Sequence, residues 1–395
     1  ETFIIYTPEN ATNVFIRCYM RNSAFKQTES FYEDCVLPLM HKVKNVIVRG
    51  IEGLISTSVI DAVKTVEKPD GTLHPIQQAF IDEFAFQCGF CTPGFVMAIS
   101  GLVEKKLGEG EREMLEEKEA RNALTGNLCR CTGYQQILDA ARSIKLSACE
   151  SVAARFYSSA QEKELRKALA SPLALSSPDF AAFAPLSLKA AGTWLAREKN
   201  ARVLGSATDL GVVHNKGKLR LDKLLSLHLI PELYELKVTA KGSVKVGARV
   251  SLAELRRALK ERSPELARFL DRFASPQIKN IATLVGNVAN ASPIADTPPF
   301  LLACDAMMHL AGPRGMRKVP LESFYLGYRK TCLRRGEVVA AIEFTLPSSD
   351  ERFAVYKVSE RIDLDISSVN AGLRLRLGGD GRITEARVAL GGVAA

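Results

Sequence analysis

The sequence predicts a multidomain α+β protein, and three observations carry that expectation. At 395 residues the chain exceeds the usual size of one domain. Apolar residues recur at helical spacing from His74 to Leu107, in a region that also holds two close cysteine pairs. Beyond a Ser/Ala-rich segment, helix and strand signals alternate from about Pro185 onward. The chain divides accordingly into 1–59, 60–145, a linker over 146–184, and 185–395.

Each segment has its own pattern. In the first, Val43 to Val48 is a β-rich run followed by Gly50 and Gly53, while the residues before it show no clear period. In the second, Ile76, Ala79, Phe80, Glu83 and Phe84 fall three and four apart and predict a helix. The stretch Cys88-Gly-Phe-Cys-Thr-Pro-Gly94 interrupts it. Pro93 suits the first turn of a second helix, where the missing N–H costs nothing. Glu109–Glu119 reads as an exposed helix face, and a fourth helix is expected from Thr132 or Gly133 through Ile137, Leu138 and Ala141. Residues 60–145 thus read as a small four-helix domain with both cysteine pairs at helix starts. The composition of SPLALSSPDF (171–180) suits a surface linker. A helix carrying Trp194 and Leu195 then precedes a strand, Arg202–Leu204, that runs into the turn GSATDLG. Strands are expected over Leu236–Val246 and Ala371–Leu377, where Leu373, Leu375 and Leu377 alternate with Arg374 and Arg376. Gly378-Gly-Asp-Gly381 predicts a hairpin.

Composition excludes several classes. With 47% apolar and 25% charged residues, the chain can bury a core. The net charge is +9, and Leu186–Ser275 alone, with 18 Lys/Arg against 9 Asp/Glu, accounts for the excess. No Lys/Arg-rich tract occurs, which argues against a nucleic-acid binder. The longest apolar stretch, near Phe95–Val103, is about half of the ~20 residues a membrane span needs. The chain opens at Glu1 without Met or a basic signal region, and reads as a fragment. Nine cysteines, an odd number, without an export signal point to a reducing, cytoplasmic compartment rather than a disulfide framework.

Four of those cysteines form the constellation that carries the chemistry. Cys88-x2-Cys91 is followed, after 37 residues, by Cys129-x-Cys131. Thiolates near helix starts gain from the positive helix end and from N–H donors to sulfur. Four thiolates suit iron–sulfur or zinc, and buried unliganded cysteines are a third reading. Zinc ribbons usually repeat C-x2-C, whereas the second pair here is C-x-C.

Around these residues the sequence is similar to a known family. HPIQQAFIDEFAFQCGFCTPGF (74–95) and TGNLCRCTGYQQIL (125–138) resemble the helical [2Fe–2S] domain of the molybdenum hydroxylases. The remainder resembles their FAD-binding domain. The order is that of the small subunits of bacterial xanthine dehydrogenases. The resemblance implies that Cys88, Cys91, Cys129 and Cys131 ligate one [2Fe–2S] cluster. It also implies a second cluster in an N-terminal plant-type ferredoxin domain. Here only Cys18 and Cys35 match its ligands, and Asn10 and Phe15 stand where the other two belong. Residues 1–59 therefore read as a degenerate ferredoxin-like β remnant, and the expected electron relay lacks its middle station.

The region 185–395 has no G-x-G-x-x-G, so a dinucleotide must be held differently. Leu204, Gly205, Ser206, Ala207, Thr208 and Asp209 follow a strand and resemble the family's first flavin loop, with Ser206 and Ala207 where glycines are usual. FASPQIKNIATLVGNVANASPIADTPP (273–299) is similar to its second. Carried over position by position, Phe273, Ala274, Ala282, Thr283, Gly286, Asn287, Asn290 and Asp296 are implied in FAD contact, with Val285 in place of a usual Gly. On composition alone Asp296 would be a helix N-cap. Val339 and Lys357 match further flavin-contacting positions. Asp363 and Asp365 read as a structural turn pair. The family's FAD domain continues beyond a GGV-type segment, so the domain is expected to be incomplete at its C-terminus.

His41, His74, His214, His228 and His309 show no ligand spacing, and Cys149, Cys304 and Cys332 read as small hydrophobes. No residue is expected to be catalytic in substrate oxidation. The resemblance implies an electron-transfer subunit of a xanthine dehydrogenase. It would work with a molybdopterin-containing large subunit, in a heterodimer or heterotetramer, and with NAD+ as acceptor. Another molybdenum hydroxylase, acting on aldehydes or N-heterocycles, or an inactive zinc-bound module, remains an alternative.

Overall fold

The computed structural model describes residues 2–4, 15–17 and 70–393, except 112, 152–153, 155–157 and 363. Strands β1 (Thr2–Ile4) and β2 (Phe15–Arg17) pair in a two-stranded sheet. The expectations on Cys18, Cys35, Asn10 and Asp363 lie outside the described residues. The chain falls into two compact units, divided near residue 170.

The first unit is helical. α1 (Pro75–Asp82), α2 (Thr92–Gly108), α3 (Glu117–Leu124) and α4 (Gln135–Ser143) surround a core of Ile76, Phe80, Phe95, Ile99, Ile137 and Ile144. α1 starts in a capping box. His74 Nδ1 accepts from the Ile76 N–H, and Gln77 Oε1 accepts from the His74 N–H at 2.8 Å. Pro93 occupies the first turn of α2. The Glu109–Glu119 face is helical only from Glu117, because Gly110, at φ 82°, ends the preceding helix in a turn. α4 begins at Gln135, two residues past Gly133, since Gly133 and Tyr134 both adopt positive φ.

The expected linker carries regular structure: α5 (Ser159–Leu169), β3 (Leu173–Ser177) and β4 (Phe180–Ala184). Its Ser and Ala residues mask a strand, because β3 alternates half-buried Leu173 and Leu175 with exposed neighbours.

The second unit is α+β. It adds α6 (Leu188–Arg197), β5 (Arg202–Leu204), α7 (Leu210–Asn215) and β6 (Lys223–Ser226). β4, β6 and β5 run parallel, with β3 antiparallel at the edge. β7 (Leu236–Val238) and β8 (Ser243–Gly247) form two strands where one was expected, because Gly242, at φ 84°, turns the chain. Helices α8 (Leu252–Leu259), α9 (Pro264–Asp271), α10 (Pro276–Lys279), α11 (Leu284–Ala289) and α12 (Pro298–Ala303) follow. β9 (Met307–Gly312), β10 (Gly315–Pro320), the short pair β11 (Tyr325–Gly327) and β12 (Lys330–Thr331), and β13 (Val338–Thr345) come next. An antiparallel sheet has the order β10-β9-β13-β8-β7. β14 (Glu351–Val358), β15 (Val369–Leu377) and β16 (Ile383–Gly391) form a third sheet, with the expected hairpin turn after Leu377. One core unites the second unit, centred on Phe300, whose ring meets Phe269 at 5.8 Å and Phe344 at 6.0 Å. No helix among the described residues is long and apolar enough to cross a membrane.

Candidate cofactor sites

The helical unit brings the four expected cysteines together in two pairs. Cys91 occupies the residue before α2, and Gly89, at φ 78°, lies between it and Cys88. The second pair sits on the loop before α4, tied by Tyr134, whose hydroxyl accepts from the Cys129 N–H at 3.0 Å. The loops approach closely: a Cβ on Gly94 would lie 2.9 Å from Asn127 Nδ2. Cys88 Sγ and Cys131 Sγ are 3.5 Å apart, and Cys91 hydrogen-bonds Cys129. Among the described residues no three ligating side chains converge as around a single ion. A two-and-two arrangement matches a two-iron cluster, where each iron takes two thiolates. The donor set therefore fits a [2Fe–2S] group.

The loops also prepare the sulfurs unequally. Cys129 Sγ meets the Thr132 hydroxyl at 3.2 Å and accepts from the N–H groups of Cys131 and Thr132, each at 3.4 Å. These bonds, the Thr132 hydroxyl foremost, bring its thiol down to about 7. Burial pushes the Cys91 thiol up to about 11. The Phe90 N–H lowers the thiol of Cys88, and its hydrogen bond with Cys88 raises Cys131. Cys88 and Cys131 are exposed, as are the neighbouring Phe84, Phe90 and Leu128. Of the isolated cysteines, Cys304 is fully buried, and burial pushes its thiol up to about 12.

In the second unit the first expected loop, Leu204–Asp209, leaves the carboxyl end of β5, where open parallel sheets bind ligands. Ala207 adopts φ 60°. The N–H groups of Ser206, Ala207 and Thr208 donate to nothing among the described residues. Three unmet donors in a half-buried turn fit a phosphate group.

The second expected loop is internally bonded. Thr283 caps α11 by accepting from the Gly286 N–H at 2.9 Å. Asn287 Oδ1 accepts from the Thr297 hydroxyl at 2.6 Å and from its N–H at 3.3 Å. Ala274 takes φ 47°, Phe273 packs on the core, Ala282 is buried, and Asn290 ends α11. Val285 turns its side chain into the core. Val339 is likewise a core residue, on β13. Asp296 is not a cap, since α12 starts after Thr297. Its Oδ2 instead accepts from Lys357 Nζ at 2.6 Å, and its Oδ1 from Ser367 at 2.5 Å and Asn370 at 3.0 Å. Asp365 holds the Arg361 N–H and guanidinium, a structural turn.

Sequence reasoning missed the segment that serves both loops. After β8, Arg249 Nη1 donates to the Gly205 carbonyl, while Ser251 bridges Thr283 and the Leu252 N–H donates to Ala282 O at 2.8 Å. No spacing or motif marks Arg249. The partners of Asp296 were equally hidden, lying 61 to 74 residues away.

Known proteins share these features. Residues 62–142 match the family described as [2Fe-2S] binding domain, 178–348 the FAD binding domain in molybdopterin dehydrogenase, and 354–395 the CO dehydrogenase flavoprotein C-terminal domain. The last match separates the third sheet from the domain expected to span 185–395. Xanthine dehydrogenase 1 of Arabidopsis thaliana is 28% identical over 97% of this chain and 32% of its own length. Xanthine dehydrogenase 2 of that plant is 31% identical over 82% of this chain and 28% of its own. The chain thus spans about a third of these relatives. Among solved structures, carbon monoxide dehydrogenase of Hydrogenophaga pseudoflava is similar at 27% identity and TM-score 0.51, over 56% of this chain and 77% of that one. Quinoline 2-oxidoreductase of Pseudomonas putida is similar at 28% identity and TM-score 0.50, over 55% and 76%. With paired thiols on a [2Fe–2S]-binding domain and a flavin domain following it in sequence, the chain carries the domains of, and fits, the molybdenum hydroxylase family.

Proposed function

We propose that this chain is the electron-transfer part of a xanthine dehydrogenase. It would take reducing equivalents from a partner molybdopterin subunit that hydroxylates hypoxanthine or xanthine, and deliver them to NAD+. The observation that carries the reading is the two-and-two pairing of Cys88 with Cys131 and Cys91 with Cys129. These four would ligate one [2Fe–2S] cluster, and the loops 204–209 and 273–296 would hold FAD. When bound, the cluster supplies one-electron transfer and the flavin hydride chemistry. The protein's own part is placement: Thr132 and the loop N–H groups would stabilise thiolate charge, and the Ser206–Thr208 donors would receive phosphate. Exposed Phe84, Phe90 and Leu128 beside the thiols support a partner surface there.

Iron, sulfide and flavin per chain, with the visible spectrum of anaerobically purified protein, test this. About two irons and one FAD are expected from a single four-cysteine cluster. Four irons would restore the ferredoxin cluster, and stoichiometric zinc without iron would overturn the relay. The likeness to quinoline 2-oxidoreductase favours one second reading, a hydroxylase of N-heterocycles. Turnover with the partner subunit on purine against quinoline substrates separates the two.

A further inference from the structure

Arg249 is a buried cation without a carboxylate. It is 5% exposed, yet among the described residues its partners are only the Gly205 carbonyl and Tyr234. Tyr234 offers its hydroxyl to Nε at 3.5 Å and its ring at 5.6 Å. Two half-buried arginines elsewhere are neutralised: Arg374 pairs with Glu351 and Arg317 with Glu337, at 3.0 and 2.8 Å. A buried charge without a counter-charge is costly, and proteins retain one where a ligand supplies the opposite sign.

Three further observations say where that ligand lies. The guanidinium reaches Gly205, at the base of the turn whose Ser206, Ala207 and Thr208 N–H groups are unmet. The same segment, two residues on, bridges Thr283 at the start of the second loop. Beside it, the loop leaving β6 places His228, whose Nδ1 lies 2.9 Å from Ser226 Oγ and whose Nε2 is buried with no partner among the described residues. Burial and the charge of Arg249 hold that imidazole neutral, which leaves the arginine as the charge at this site.

We infer that Arg249 is the counter-charge for the pyrophosphate of the bound dinucleotide, gripping it from behind the Leu204–Asp209 turn. The inference rests on the reading of that turn as the flavin phosphate loop. A guanidinium suits the task because its planar fork can bond two phosphate oxygens.

The test uses the full chain stripped of flavin and titrated with FAD and with riboflavin, which lacks both phosphates. ADP serves as a competitor carrying only the other half of the dinucleotide. Arg249→Met is expected to weaken FAD binding at least about 30-fold, as for one lost charge-assisted contact. Riboflavin binding should stay as in the wild type, ADP should compete only with the wild type, and the flavin-free melting temperature should not fall. Arg249→Lys should fall between the two, and provides the same comparison if the methionine variant does not fold. Equal losses for FAD and riboflavin, or unchanged FAD affinity, would overturn the counter-charge role while leaving the flavin reading intact. A wild-type chain that binds no FAD would overturn the flavin reading and the inference with it.

Discussion

Lys357 Nζ lies 2.6 Å from Asp296 Oδ2, with both side chains at least nine-tenths buried. The ammonium also donates to Ser367 Oγ at 2.9 Å and to the Asp365 carbonyl at 3.0 Å, so all three of its protons are placed. Two residues implied as separate cofactor contacts are thus each other's partner. The pair ties the end of the second loop to β14. Its primary work is to fix that loop, because a satisfied buried pair is expensive to open.

Removing one partner strands the other. Lys357→Met is expected to cost about 3–5 kcal/mol, as for a broken buried ion pair. Lys357→Met combined with Asp296→Leu should cost clearly less than the sum of the single changes. Urea denaturation of the three variants measures the coupling. Additive losses would mean that the two residues act independently.

Glu351 gives the second unit an acid limit. Burial pushes its carboxyl up, but the Ser348 N–H, Arg374 and the Ser348 hydroxyl together outweigh that and hold it at about 2. A carboxyl lowered on folding contributes stability above its unfolded value, and that contribution fades as pH falls through the folded one. The unit should therefore lose about 2–3 kcal/mol between pH ~4.5 and ~2 through this residue. Glu351→Gln should be destabilised at neutral pH and show a flatter stability curve over that range, measured by denaturant midpoints at each pH.

Gly372 marks a point where β15 touches α12. A Cβ there would sit 2.7 Å from Phe300 Cα and closer still to the Pro299 carbonyl, so backbone would have to move. Gly372→Ala is expected to cost about 3 kcal/mol, as for overpacking against an immovable neighbour. The urea midpoint should fall without a change in slope.

The sequence was most legible where local chemistry decides structure. Pro93 announced α2, Arg202–Leu204 followed by glycine announced β5, and Gly378–Gly381 announced the β15–β16 hairpin. The C-x2-C and C-x-C spacing placed all four thiols, because each pair is held by its own short loop. Reading failed where residues distant in sequence decide. The Ser/Ala-rich stretch became β3 and β4 because β6 lies alongside β4 to pair with it, and β3 pairs with β4 in turn. Asp296 met Lys357 across 61 residues, and Arg249 carried no pattern at all. Side chains that complete one another from separate elements leave no periodic trace.

The cysteine pairing makes the sharpest claim on the helical unit. If each iron takes one pair, losing Cys129 leaves Cys91 alone on its metal and the cluster cannot close. Cys129→Ala and Cys91→Ala are each expected to lower iron from about two per chain to near zero and to bleach the visible iron–sulfur absorption. Flavin content should be unchanged, because the second unit folds on its own core, separate from that of the helices. Cys149→Ala serves as the contrast: its sulfur hydrogen-bonds the Lys145 carbonyl at 3.5 Å, and its loss should leave the iron in place. Iron that survives in either pair variant would show that some other residue completes the site.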